Sequence, residues 1–311
     1  FQITRKIISL GCYFALSIKR PLSYGTAIHI YRDAFLLPQF CQRTFKEPVF
    51  DPLFKILSYG NLRQDVLPSS LTAEDAKIEI IRLMTSWLYL HEQAHLLQKH
   101  GSVAKQLGLP NSLGGTNRVI DAPEGKSAMF GDSASFRHAI EFSADYEATT
   151  SLLYIEGQSG MTPATLWCIA AGLMCMFARF YKISNRGLTD LPEGTHPHPG
   201  VRMEMSLRKI VWMFEKVEGY AESSPQINGP VHARKIMDHA VYTSDAYFHL
   251  RYFGLEARGP LLDLSTKLSK PPISYRDAVL LTWRKARPLI TENLSMKEAA
   301  FVLPYHALER M

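Results

Sequence analysis

The sequence predicts an α+β fold that is predominantly helical, with a small N-terminal sheet and a helical C-terminal extension. Three observations carry this. Apolar and imidazole residues recur every three or four positions from about 73 to 100 and again from about 134 to 155, the period of a helix with a packed face. A further apolar run fills 164–178. Residues 1–60 instead hold extended-looking pieces, Ile28–Tyr31 and Phe45–Phe54, punctuated by Pro21, Pro38, Pro48 and Pro52. The expected organisation is one domain over 1–220, with the sheet in 1–60, followed by the extension over 221–311.

The first predicted helix starts after the loop Leu67–Thr72, where Thr72 is a plausible N-cap and Asp75 sits in the first turn. Ile78, Ile81, Thr85, Leu88, His91, His95 and Gln98 form its stripe, and further apolar residues cover most of the circumference, so the helix reads as buried. His100–Gly101 ends it, with Gly101 suited to the left-handed position and His100 to a terminal cation or cap. Within this helix stands His91-Glu92-Gln93-Ala94-His95. At 3.6 residues per turn the two imidazoles lie one above the other and can reach one ion, with a carboxylate beside them. Zinc bound by neutral imidazoles lowers the pKa of bound water toward ~7, and a nearby carboxylate can take that proton. The pattern supplies two ligands and a base, and Zn2+ is the expected cofactor.

Gly101, Gly108, Pro110, Gly114, Gly115, Pro123, Gly125 and Gly131 make 101–132 a long loop, placed like a cleft wall or lid. The second helix, capped by Ser133 or Ser135, puts Glu141 and Asp145 on one face, continued by Ala148 and Leu152. Glu141 is the candidate third metal ligand. Asp145 is the candidate acceptor for the outer N–H of a ligating histidine. His138, one turn before Glu141, is a rival ligand.

His91-Glu92-x-x-His95, then Glu141-x-x-Ala144-Asp145, then Thr195-His196-Pro197 followed after four residues by Arg202, occur in that order over about 91–202. In this the chain resembles the gluzincin metallopeptidases of the HtpX and CAAX-prenyl-protease type. The resemblance implies a zincin-like core in which His91, His95 and Glu141 bind zinc, Glu92 is the catalytic base, and His196 and Arg202 lie near the cleft. It also implies a sheet edge in 1–60 beside the zinc helix, binding extended protein or peptide substrate. His196 or Arg202 is the expected donor to the oxyanion of peptide-bond hydrolysis, with His198, held between two prolines, as a rival. Soluble Lit-like metallopeptidases carry a similar zinc helix and are the second resemblance. A catalytically silent zinc-binding sensor or interaction module on the same fold is the alternative, and Glu92 argues against it.

Members of the first family are usually membrane-embedded or follow a signal peptide. Here the run 164–178 is about fifteen residues, short of the ~20 needed to cross a bilayer, so it reads as a buried core helix. Arg5 and Lys6 before Ile7–Leu16 imitate a secretory leader without a convincing cleavage site. A cytoplasmic enzyme is expected, with membrane association as the alternative. The chain of 311 residues is 46% apolar and 21% charged, enough for a sizeable core. Its 35 basic and 29 acidic residues give +6, spread in short pairs, so no nucleic-acid partner is expected. Cys12, Cys41, Cys168 and Cys175 lack metal-like spacing and suit a reducing compartment. Beyond the loop that carries Thr195–Pro199, helices are expected at about 201–218, 230–256 and 275–302, with Ser274/Asp277 and Ser295/Glu298 as capping starts.

Overall fold

The structure is a computed structural model and describes residues 36–38, 68, 70–107, 132–184, 191–194, 196–252 and 273–293. Among these residues there are seven helices and no strand. They are α1 (Ala73–Leu97), α2 (His100–Gln106), α3 (Asp132–Gly157), α4 (Pro163–Ser184), α5 (Pro199–Lys216), α6 (Gly229–Tyr252) and α7 (Ile273–Asn293). The expectation of an α+β fold is therefore corrected to an all-helical one. The pieces that suggested strands, Ile28–Tyr31 and Phe45–Phe54, lie outside the described residues, and the one described segment within 1–60, residues 36–38, is helical. Prolines and β-branched residues mark extended chain only weakly, because burial decides between strand and helix for short apolar runs.

Helix α1 begins as its sequence indicates. The Thr72 hydroxyl accepts the Asp75 N–H at 3.1 Å and donates to the Asp75 carboxylate at 2.6 Å, and Glu74 and Asp75 complement the helix dipole. Its buried face runs through Ile80, Leu83, Met84, Trp87, His91, Ala94 and His95. The expected stripe was out of phase at its start, since Ile78 is exposed, and Tyr89 and Leu96 are exposed too. The helix is thus one-sided rather than buried all round. It stops at Leu97, three residues earlier than expected: Lys99, not Gly101, takes the left-handed conformation (φ 46°), and His100 and Gly101 open α2. His100 is not a cation at that helix end, because burial pushes its imidazole down to about 3. Most of the expected Gly-rich loop, 108–131, lies outside the described residues.

Helix α3 is the centre of the packing. It lies against α1, α5 and α7, while α4 lies against α1, α5 and α6, and α2 lies against α7. The first half of α3 (Phe136, Ala139, Ile140, Phe142) joins Tyr275, Val279 and Trp283 of α7 and Val201 and Met205 of α5 in one apolar cluster. Its second half (Ala148, Leu152, Leu153) joins Trp87, Trp167 and Phe177 in a larger one. Glu141 and Asp145 stand between those two halves. Ser133 and Ser135 lie inside α3 rather than capping it. The apolar run 164–178 is a buried core stretch of α4, as the sequence suggests. No helix among the described residues is long and apolar enough to cross a membrane.

Two close approaches fix α1. The Trp87 indole is almost fully buried and donates to the Thr149 hydroxyl of α3 at 3.0 Å, so the ring adds its apolar area without an orphaned N–H. Against α4, a Cβ placed on Gly172 would stand 2.8 Å from Met84 Cγ, so glycine lets the two helices come together.

Candidate metal centre

Where α1 crosses α3, His91, His95 and Glu141 converge, all buried. His91 Nε2 and His95 Nε2 are 3.1 Å apart, His95 Nε2 is 3.4 Å from Glu141 Oε1, and His91 Nε2 is 3.5 Å from Glu141 Oε2. The group can hold a metal ion. Three sequence-predicted ligands are thus brought to one point. The rival is not among them: His138 receives the Tyr275 hydroxyl at Nδ1 (2.8 Å) and gives its Nε2 proton to the Glu193 carbonyl (3.1 Å), so both ring nitrogens are engaged.

Behind the ligands lies a layer of charge. Asp145 Oδ1 is 2.9 Å from His91 Nδ1, close in distance but off the ideal N–H direction. Arg202, buried at the start of α5, grips Asp145 with Nε at 2.8 Å and a terminal nitrogen at 2.7 Å, and the latter is 3.2 Å from Glu141 Oε2. The geometry is bidentate, the strong form of an arginine–carboxylate pair. His198 is neither free nor in the cluster; its Nδ1 accepts the Gly200 N–H at 3.2 Å and caps α5, with Pro199 at the first turn. His196 reaches the front, 3.8 Å from Glu141 Oε1, with its side chain 32% exposed. Thr195 lies outside the described residues.

Burial and these neighbours set the protonation states. Burial opposes charge on His91, but the carboxylates of Asp145 and Glu141 outweigh it and push the imidazole up to about 9. His95 falls well below the ordinary histidine value because burial has no such carboxylate pair to offset it. Burial would raise Glu141 and Asp145; their cationic neighbours, Arg202 among them, hold both below the usual carboxylate range. Without an ion the buried centre therefore balances two cations, His91 and Arg202, against two carboxylates. Glu92 differs: burial pushes it up to about 7, and its Oε1 is buried with no hydrogen-bond partner.

Four residues escaped the sequence reading as functional candidates. Trp87 stacks on His91, with ring centroids 5.3 Å apart and planes at 16°. It lies four residues before His91, so the i, i+4 rule was signal enough. His100 Nδ1 is 2.7 Å from His95 Nδ1, and Gln98 Oε1 is 2.7 Å from His100 Nε2 and 2.5 Å from Ser143 Oγ. That set forms only because the chain reverses at Lys99 and folds His100 back, which spacing on one continuous helix does not show.

Comparison with known protein families, curated proteins and solved structures gives no match to this chain.

Proposed function

We propose that the chain is a zinc-dependent metalloendopeptidase in which His91, His95 and Glu141 hold the ion and Glu92 is the general base. A tetrahedral zinc with ligands at about 2.0–2.1 Å has edges of about 3.3 Å between donor atoms. The separations of 3.1, 3.4 and 3.5 Å are of that order, the two nitrogen–oxygen distances running to different oxygens of Glu141. Two imidazoles and a carboxylate are a donor set of hydrolytic zinc, and three protein ligands leave a position for water or substrate.

The observation that carries the reading is the Glu92 carboxylate. It follows a ligand directly in sequence, and one oxygen is buried without a partner. Such an oxygen costs stability unless something uses it, and a structural metal site has no use for a base.

Bound there, zinc supplies a Lewis acid that polarises a carbonyl and eases loss of a proton from water. Glu92, ionised above about 7, takes the proton of the attacking water and later delivers it to the leaving amine. His196, the most exposed imidazole beside Glu141, donates to the oxygen on which charge develops. Arg202 bonds Asp145 through Nε and one terminal nitrogen and faces Glu141 at 3.2 Å, so its part is to hold the carboxylates in place. Asp145 holds the Nδ1 proton of His91 and leaves Nε2 for the ion. Peptide or protein is the substrate in this reading. Cys168 and Cys175, buried and not joined in a disulfide, support a reducing, cytoplasmic setting.

The test is metal analysis of the purified protein together with digestion of casein by the native chain and by Glu92→Gln. Zinc in both proteins with cleavage by the native one alone is the expected result. Equal cleavage by both, or a native protein that takes up no zinc, would end the reading.

A further inference from the structure

We propose that Ser143, Gln98 and His100 form a relay that fixes the proton of His95 on Nδ1 and so keeps its Nε2 bare. The consequence for zinc rests on the reading above; the position of the proton does not.

His95 Nδ1 and His100 Nδ1 are 2.7 Å apart. At that separation one nitrogen carries the proton and the other the lone pair. The choice is made at the far side of His100, where Nε2 is 2.7 Å from Gln98 Oε1. An amide oxygen only accepts, so His100 carries its proton on Nε2 and presents a bare Nδ1. His95 then donates from Nδ1, and its Nε2, 3.4 Å from Glu141 Oε1 and 3.1 Å from His91 Nε2, has no proton.

Ser143 suits the required face of Gln98. Its hydroxyl donates to the same oxygen at 2.5 Å, so both neighbours of that atom are donors. With the amide reversed, the Ser143 hydroxyl would turn to accept an amide N–H and His100 would have to accept at Nε2. His100 would then donate from Nδ1 to His95, and the His95 proton would sit on Nε2, where an ion has to bind. Gln98 Nε2 has no hydrogen-bond partner in the arrangement observed, which is the cost of turning the oxygen inward. His95, Gln98, His100 and Ser143 are all buried, so bulk water does not take the place of any link. Ligating histidines usually lean on a carboxylate, a carbonyl or water; here the acceptor is an amide that acts through a second ring.

Two-bond proton–nitrogen correlation spectra of the metal-free protein, carrying 15N-labelled histidine at neutral pH, read the tautomers directly. The expected result is His95 protonated at Nδ1 and His100 at Nε2. Gln98→Met keeps the length and removes the acceptor, so both rings become tautomer mixtures and zinc affinity, measured against a chromogenic chelator, falls by about tenfold to hundredfold. Gln98→Glu keeps the oxygens and restores both the tautomers and most of the affinity. Ser143→Ala, a milder change inside α3, shifts both readouts in the same direction by less. A native His95 protonated at Nε2, unchanged tautomers in Gln98→Met, or equal loss of affinity in the Met and Glu variants each overturn the relay. A native protein that binds no zinc overturns the metallopeptidase reading alone, and the tautomers still decide the relay.

Discussion

Asp145 Oδ1 stands 2.9 Å from Nδ1 of His91, on the far side of the ring from Nε2, which faces Glu141. The same carboxylate is held from the other direction by Arg202 at 2.7 and 2.8 Å. Asp145 is therefore the hinge between a candidate ligand and a buried cation, and Asp145→Asn acts on both. The amide carries no charge for either, so zinc affinity is expected to fall about tenfold to hundredfold. Leaving buried Arg202 with Glu141 alone to face it is expected to cost about 3 kcal/mol. A chelator competition reads the first effect and a denaturant melt of the metal-free protein the second. A loss of affinity without a loss of stability would show that Arg202 does not depend on Asp145.

His91 gives the centre a pH dependence. Its imidazole is raised to about 9 in the metal-free fold, yet an ion needs it neutral. Below pH 9 a proton leaves as zinc enters, and affinity is expected to rise by about tenfold per pH unit up to that point and then level. Calorimetry in two buffers of different ionisation enthalpy at pH 7.5 is expected to give close to one proton released. The linkage has the opposite sign for folding: a histidine raised above its unfolded value stabilises the metal-free protein fully below about 6.5 and loses that contribution as pH rises through about 9. Metal-free Lys209→Met protein that gains stability over this window would contradict the assignment.

The centre was legible in the sequence to the extent that it obeys helix spacing. His91 and His95 are one turn apart, as are Glu141 and Asp145, and stacking two such pairs across one helix crossing yields the observed cluster. What spacing does not encode is how chain reversals aim a residue. His100 turns inward because Lys99 adopts φ 46°, and His198 faces its own backbone because it starts α5. Arg202 was legible as a neighbour of the site, but its role depended on which carboxylates it faced, a tertiary fact. The sheet failed for a different reason. Alternation in a short, proline-marked segment is a local signal, and the one described part of it is helical.

Lys209 is a buried cation that the proposed chemistry does not use. Its Nζ has no hydrogen-bond partner and lies over the rings of Trp212 (3.9 Å) and Tyr146 (4.3 Å), and burial lowers its pKa to about 7. A lysine depressed below its unfolded value of 10.5 opposes folding most below pH 7, and the penalty fades as pH rises toward 10.5. Lys209→Met, similar in length and apolar, is expected to stabilise the protein by about 1–3 kcal/mol at pH 6 and by less at pH 9. Glu147, raised to about 7 with Lys209 among its neighbours, offsets part of the gain when it loses that cation. Melts at the two pH values decide it; a gain that grows with pH would have the wrong sign.

Gly172 links the packing to the centre. A Cβ there would stand 2.8 Å from Met84 Cγ, an atom too near the Met84 backbone to swing clear. Alanine gains about 1 kcal/mol of helix propensity over glycine, which opposes the clash, whereas valine adds bulk without that gain. Gly172→Val is accordingly expected to destabilise by about 1–3 kcal/mol through overpacking. Met84 lies two turns before His91 on the buried face of α1, so pushing α1 off α4 also moves both imidazoles relative to Glu141 on α3, and zinc affinity drops with stability. The clash is pairwise, which allows a stricter check. Met84→Ala alone leaves a cavity and costs about 2–5 kcal/mol, but combined with Gly172→Val it makes room for the new side chain. The double variant is expected to be clearly less damaged than the sum of the singles, with affinity recovering in parallel. Additive losses in stability would mean that Gly172 acts through its backbone rather than through the space it leaves for Met84.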